Sequence, residues 1–168
     1  CVGENLKNKN IDKIIIIGND IKTEFKDICD NTKIIFYEYE KNVSYADLIR
    51  ISNFLIKDGN VCIMRSDIIL PNQQNLDDIL IDKSDVISLS RIERLLDGNL
   101  VKSNKLNKIM YSTEQDAWLF KAPLNIQNDL NLLDDVFLND KYGELYFNSV
   151  LKTNSYNIVN DTKRYKII

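Results

Sequence analysis

The feature that most constrains the fold is a regular alternation of apolar runs and amphipathic segments over the first 90 residues. The apolar, β-branched runs predict strands at Ile11–Ile17, Lys33–Tyr39, Val61–Met64 and Val86–Ser90. The segments between them predict helices at Ile21–Cys29, Ser44–Asp58 and Leu76–Ile81. Such β-α-β-α order is typical of parallel strands joined by right-handed crossovers, with helices on both faces of the sheet. The chain is therefore predicted to be α/β, with a Rossmann-like arrangement in the broad sense.

The pattern changes after Ser90. Arg91–Lys108 is charged and Asn-rich, which fits either a surface loop or a hairpin. Further short strands are predicted at Ile109–Ser112, Ala117–Lys121, Tyr156–Val159 and Tyr165–Ile168, with a last helix at Tyr142–Leu151 and a loop with a helical turn at Leu124–Leu138. We expect a single domain over residues 1–168, with residues 1–10 as a flexible lead-in. Because the sequence begins with Cys rather than Met, it is also compatible with a piece of a longer polypeptide.

Composition excludes several classes of function. The net charge is −3 and the pI is near 5.1, which argues against a protein that works by gripping a nucleic-acid backbone. No apolar run approaches the roughly 18 residues of a membrane span. There is no His, so a His general base and the usual zinc sites are excluded within this chain. The 3 cysteines form no CxxC pair and favour a reduced, cytoplasmic setting.

The candidate site begins where the third predicted strand ends, at Arg65-Ser66-Asp67. Ligands of open α/β sheets bind beyond the carboxyl ends of the strands. An Asp at that place can hold a hard divalent cation, and an Arg can clamp phosphate oxygens in a bidentate manner. The pair therefore suits a ligand that carries a diphosphate, although an ordinary polar turn explains the same residues.

Three further positions are candidates for the same site. Arg91 follows the next strand and would hold a phosphate or a sugar hydroxyl, or else simply be solvated. In Gln115-Asp116-Ala117-Trp118, strand alternation puts Asp116 and Trp118 on one face. That pair is predicted to be a sugar platform, with the ring stacked on a pyranose; the alternative is a core Trp beside a turn. Glu144 begins the last helix, where a carboxylate is favourable in any case.

Together these segments resemble a family of GT-A-type glycosyltransferase-like proteins, known mainly from uncharacterised and viral or microbial sequences. Four segments match that family's motifs closely, and they are Tyr45-Ala46-Asp47-Leu48, Arg65-Ser66-Asp67-Ile68, Leu89-Ser90-Arg91 and Gln115-Asp116-Ala117-Trp118-Leu119-Phe120-Lys121. Two match loosely, namely Tyr142-Gly143-Glu144-Leu145 and Ser155-Tyr156-Asn157-Ile158-Val159-Asn160. The resemblance covers roughly residues 11–168, and its fold is a three-layer α/β/α domain with a mostly parallel sheet and antiparallel additions in the C-terminal half.

The resemblance implies a glycosyltransferase that moves a hexose from a nucleotide diphosphate sugar to a hydroxyl of a glycan or protein acceptor. It implies Asp67 as the ligand of Mn²⁺ or Mg²⁺ and Asp116 as the acceptor-side carboxylate, which is the general base if the reaction inverts. Donor and acceptor would be bound by Arg65, Ser66, Arg91, Gln115, Trp118 and Glu144. Two departures, Arg65 at an acidic or Asn position and Leu145 at an Asn position, keep open a non-catalytic binding module of a larger protein. A nucleotidyltransferase would need a Gly-rich phosphate loop, and Gly18 alone stands after the first strand.

Overall fold

A computed structural model describes residues 1–28, 30–70, 82–89, 92–94, 100–102, 115–126, 128–138, 140 and 142–159. The predicted helix Leu76–Ile81 and the predicted strands Ile109–Ser112 and Tyr165–Ile168 lie outside these residues. Arg91 also lies outside them, so its predicted role is not addressed by the structure.

The chain combines eight strands and four α-helices in the described part. The strands are β1 (Ile14–Gly18), β2 (Ile34–Glu38), β3 (Asn60–Met64), β4 (Asp85–Leu89), β5 (Ile92–Arg94), β6 (Leu100–Lys102), β7 (Ala117–Lys121) and β8 (Asn157–Val159). The helices are α1 (Val2–Leu6), α2 (Ile21–Glu24), α3 (Tyr45–Leu55) and α4 (Gly143–Thr153), with 3₁₀ turns at Lys26–Ile28 and Leu130–Leu133. The predicted α/β class is therefore confirmed.

The four-stranded sheet that carries the candidate site has the order β3-β7-β4-β8. Strand β7 is antiparallel to both of its neighbours, whereas β8 runs parallel to β4. Three strands thus point one way and β7 is reversed, so two of the three pairings in this sheet are antiparallel. Strands β1 and β2 form a separate parallel pair, and β5 with β6 form an antiparallel pair. Within the predicted range Arg91–Lys108, the structure describes β5 and β6 alone, and their antiparallel pairing is compatible with the hairpin possibility.

Both faces of this sheet are covered by apolar side chains. Because side chains alternate along a strand, Trp118 and Phe120 of β7 enter one core, and Ala117 and Leu119 enter the other. The first core contains side chains of α3 and α4, among them Tyr45, Ile49, Phe147, Val150 and Leu151. The second contains Ile68 and Leu70 from the segment that follows β3. The site segments therefore leave a sheet that is supported on both sides.

Helix α3 begins with a capping box. The Ser44 hydroxyl accepts the Asp47 N–H at 3.1 Å, and the Asp47 carboxylate accepts the Ser44 N–H at 3.1 Å. Burial alone would raise the pKa of Asp47, but hydrogen bonds from Tyr39 and Ser44 and the charge of Arg50 outweigh burial and hold the pKa below its usual value.

We expect Asp47→Ala to lower the free energy of unfolding by about 1 kcal/mol at pH 7, because the carboxylate that accepts from the Ser44 N–H and hydroxyl is lost. The pKa of Asp47 is depressed in the folded state, so its contribution is present above the unfolded value of 3.8 and is lost as pH falls through the folded pKa. Urea unfolding of both proteins between pH 7 and pH 3 measures this difference. A gap that widens on acidification would contradict the assignment.

The N-terminal residues differ from the predicted flexible lead-in. They form helix α1, and Asn5 and Asn8 are 2% and 1% exposed. The Asn5 side-chain amide donates to the Ile68 carbonyl at 2.8 Å and accepts the Leu70 N–H at 2.8 Å. The polar composition of residues 1–10 suggested a flexible segment, but the Asn5 and Asn8 side-chain amides pair with backbone groups of the segment after β3. The start of the chain is thus part of the support for Arg65-Ser66-Asp67.

Within the described residues, none of the helices has both the length and the apolar character needed to cross a lipid bilayer.

Candidate functional site

Three chain segments leave the sheet at one rim. Met64, the last residue of β3, and Leu89, the last residue of β4, both pair with Ala117, the first residue of β7. The Asp116 N–H also donates to the Leu89 carbonyl at 2.9 Å. Arg65, Asp116 and Leu89 at the end of β4 are consequently neighbours at this edge, which we call the rim.

Arg65 and Asp67 form an ion pair at the rim. The Arg65 Nη2 lies 2.8 Å from Asp67 Oδ2, and the Arg65 Nε lies 3.1 Å from Asp67 Oδ1. The two side chains are 36% and 50% exposed, so solvent screens their attraction. Ser66 between them is exposed. Asp67 was predicted to bind a metal ion, and here its carboxylate is bound by the guanidinium of its own loop.

A second polar group links β7 to the start of α4. The Gln115 N–H donates to Glu144 Oε2 at 2.9 Å, and the Gln115 side-chain oxygen accepts from Asn148 Nδ2 at 2.7 Å. Gln115 and Asp116 are only 9% and 7% exposed. The structure thus brings Gln115, Asp116 and Glu144 together although Asp116 and Glu144 lie 28 positions apart in the sequence.

Trp118 is not a sugar platform, and this prediction was wrong. Its side chain is fully buried, with T-shaped ring contacts to Tyr45 at 5.3 Å and to Phe147 at 5.4 Å between centroids. Its indole N–H donates to Asn148 Oδ1 at 3.2 Å. Because α3 and α4 cover both the ring and its polar edge, no face of the indole is available to a ligand.

Tyr45 is a residue near the rim that motif analysis left without a role. It is fully buried, and among the described residues its hydroxyl has no hydrogen-bond partner. Burial raises the pKa of Tyr45, and the charges of Glu144, Asp116 and Asp140 raise it further. The phenol therefore stays protonated, and a neutral O–H donor lies within electrostatic reach of three carboxylates. The signal available in the sequence was its place in the Tyr45-Ala46-Asp47-Leu48 motif.

An open groove lies beside the start of α4, and sequence reasoning missed it. Its volume is about 400 Å³, and it is lined by Asp135, Val136, Asp140, Tyr142, Gly143 and Tyr146. Tyr142 and Tyr146 are 56% and 61% exposed. The one available signal was the spacing of these two tyrosines, which places them on neighbouring turns of one helix face. These two rings are exposed to solvent, whereas Trp118 is buried.

The rim offers few carboxylates that could bind a divalent cation. Within the described part of the chain, no group of three or more Asp, Glu or Cys side chains is arranged to hold a metal ion. Mg²⁺ in nucleotide sites is commonly held by one or two carboxylates, with phosphate oxygens and water completing the shell. The exposed carboxylate of Asp67 fits that kind of shared site.

Comparisons with protein-family models and with curated proteins give no match for this chain.

Proposed function

We propose that the chain is a GT-A-like, Rossmann-like domain that transfers a hexose from a nucleotide diphosphate sugar to an acceptor hydroxyl, assisted by Mn²⁺ or Mg²⁺. The observation that carries the proposal is the rim. At the rim, Arg65 and Asp67 follow β3, and the nearly buried Gln115 and Asp116 precede β7. Glu144 of α4 accepts the Gln115 N–H there. A polar cluster at the strand ends of an α/β sheet is where such domains bind ligands.

The Arg65–Asp67 ion pair suits the binding of a diphosphate with its cation. If a diphosphate and its cation bind together, Arg65 can pair with the phosphate oxygens and Asp67 with the cation. Each of the two side chains then exchanges one partner of opposite charge for another. Breaking the existing pair costs little, since exposed ion pairs contribute roughly 0–1 kcal/mol. Arg91, outside the described residues, would add positive charge beside the same diphosphate.

The chemistry follows from where charge develops. As the glycosidic bond breaks, the departing diphosphate gains negative charge, which Arg65 can stabilise; Asp67 would hold a divalent cation, which would supply further positive charge there. The acceptor hydroxyl must lose a proton as it attacks, and Asp116 is the carboxylate proposed to take it. The backbone of Asp116 is held by Leu89, and the neighbouring Gln115 is held by Glu144 and Asn148. The backbone that bears the Asp116 carboxylate is thus held by hydrogen bonds at both Gln115 and Asp116.

The function is tested with Asp67→Ala, using Asp12→Ala as a matched change of an exposed carboxylate outside the rim. Release of nucleotide diphosphate from UDP- and GDP-sugars is measured with Mn²⁺ or Mg²⁺. We expect Asp67→Ala to lose at least 100-fold of the turnover, on the order of an electrostatic stabilisation of about 2.7 kcal/mol. Asp12→Ala should keep it. Undiminished turnover by Asp67→Ala would refute the assignment.

A second candidate is a binding module that keeps the shape of such a domain without catalysis. The Arg65–Asp67 ion pair favours it, because the carboxylate that would organise the cation is already engaged. Calorimetry with UDP- and GDP-sugars separates the two candidates. Binding that depends on Mn²⁺ supports the transferase, and no heat with any donor supports the module.

A further inference from the structure

The groove beside α4 is lined by two aromatic side chains that are largely exposed to solvent. Helix α4 buries Phe147 completely, whereas Tyr142 and Tyr146 on its outer side are more than half exposed. The Tyr146 N–H donates to the Tyr142 carbonyl at 3.1 Å, which places the two residues one helical turn apart. Both side chains line the same groove, and we call their exposed aromatic surface the platform.

Carboxylates lie beside this platform. Asp135 and Asp140 line the same groove and are exposed. The Asp140 carboxylate also accepts the Phe137 N–H at 2.8 Å, which fixes its position. Aromatic faces take the apolar C–H face of a sugar ring, and carboxylates accept hydrogen bonds from its hydroxyls. The volume of about 400 Å³ falls within the roughly 300–1,000 Å³ that small-ligand sites span.

The groove adjoins the rim through the first turn of α4. Gly143 lines the groove, and the next residue, Glu144, accepts the Gln115 N–H beside Asp116. A Cβ at position 143 would lie 2.5 Å from the Phe137 carbonyl oxygen and 3.4 Å from the Tyr45 ring. Only glycine permits this close packing, so the groove and the rim are joined by tightly packed backbone.

We propose that this groove is the acceptor site and that its occupant is a neutral oligosaccharide, with a sugar ring stacked on Tyr142 and Tyr146. The assignment of the occupant as acceptor depends on the proposed transferase function. The binding of the oligosaccharide does not, because it requires only the platform and the carboxylates. A Lys-rich peptide is the competing ligand, since the same rings and carboxylates could attract cations.

Binding is measured by saturation-transfer NMR and calorimetry with a panel of neutral disaccharides (maltose, cellobiose, lactose and chitobiose) and with a Lys-rich peptide. We expect at least one disaccharide to bind, with at least tenfold weaker binding to Tyr146→Ala and to Asp135→Asn. Tyr146→Phe keeps the ring and should retain most of the affinity. Phe54→Ala removes an equally exposed ring, at 69%, from outside the groove and should leave binding unchanged.

Donor hydrolysis by water is measured on the same proteins, so the two proposals can fail separately. Hydrolysis by all variants, with transfer to the disaccharide lost in Tyr146→Ala, supports both. Hydrolysis without any disaccharide binding overturns the acceptor site and leaves the transferase intact. Disaccharide binding that Tyr146→Ala abolishes, without donor turnover in the unaltered protein, supports the glycan groove and overturns the transferase. Binding of the peptide alone overturns the oligosaccharide assignment.

Discussion

Replacement of Trp118 by alanine is expected to lower the free energy of unfolding by about 3–5 kcal/mol, the usual cost of truncating a buried aromatic residue. The indole is fully buried and contacts the rings of Tyr45 and Phe147. Its removal leaves a large cavity and takes away the N–H that Asn148 accepts. Domains of this kind are stable by only about 5–15 kcal/mol, so the variant should unfold at a much lower urea concentration.

Two matched changes separate this core role from a ligand-binding role. Trp118→Phe keeps an aromatic ring and should lose less stability than Trp118→Ala. Phe54→Ala, at an exposed aromatic position, should change stability by less than about 0.5 kcal/mol, as is usual for surface substitutions. A Trp118→Ala variant as stable as the unaltered protein that had lost sugar binding would contradict the core role and would make the ring a sugar platform.

The sequence was informative wherever a local pattern determines a local structure. Ser44 with Asp47 predicted the start of α3, and the apolar run at Ala117–Lys121 predicted β7 at its observed bounds. These features depend on spacing and caps, which are local properties.

Whether a candidate side chain is available to a ligand depends on tertiary contacts, which the spacing of residues in the sequence does not encode. Alternation correctly placed Trp118 and Ala117 on opposite faces of β7, but it could not show that helices cover the Trp118 face. Likewise, Arg65 and Asp67 were each assigned to a ligand, whereas in the folded chain they pair with each other. Burial and side-chain pairing therefore decided which predicted groups remain available to a ligand.

The N-terminal segment provides the second large effect. We expect Asn5→Ala to lower the free energy of unfolding by about 2–5 kcal/mol, because a buried donor or acceptor left without its partner costs about 1–3 kcal/mol. The lost amide leaves two such backbone groups, the Ile68 carbonyl and the Leu70 N–H. Asn8 alone would still hold the segment, through its 2.9 Å bond to the Leu70 carbonyl. Urea unfolding measures the loss.

Two controls and a local measurement make this prediction specific. Asn125→Ala changes an exposed side chain of the same type and should be nearly neutral. Asn5→Asp keeps the acceptor for Leu70 but removes the donor and buries a carboxylate, so it should be at least as damaging as alanine. Amide hydrogen exchange at Leu70 should accelerate in Asn5→Ala, since that N–H loses its acceptor. Unchanged protection at Leu70 would mean that α1 does not anchor this segment, and that the loop bearing Arg65 and Asp67 is held by the apolar contacts of Ile68 and Leu70 instead.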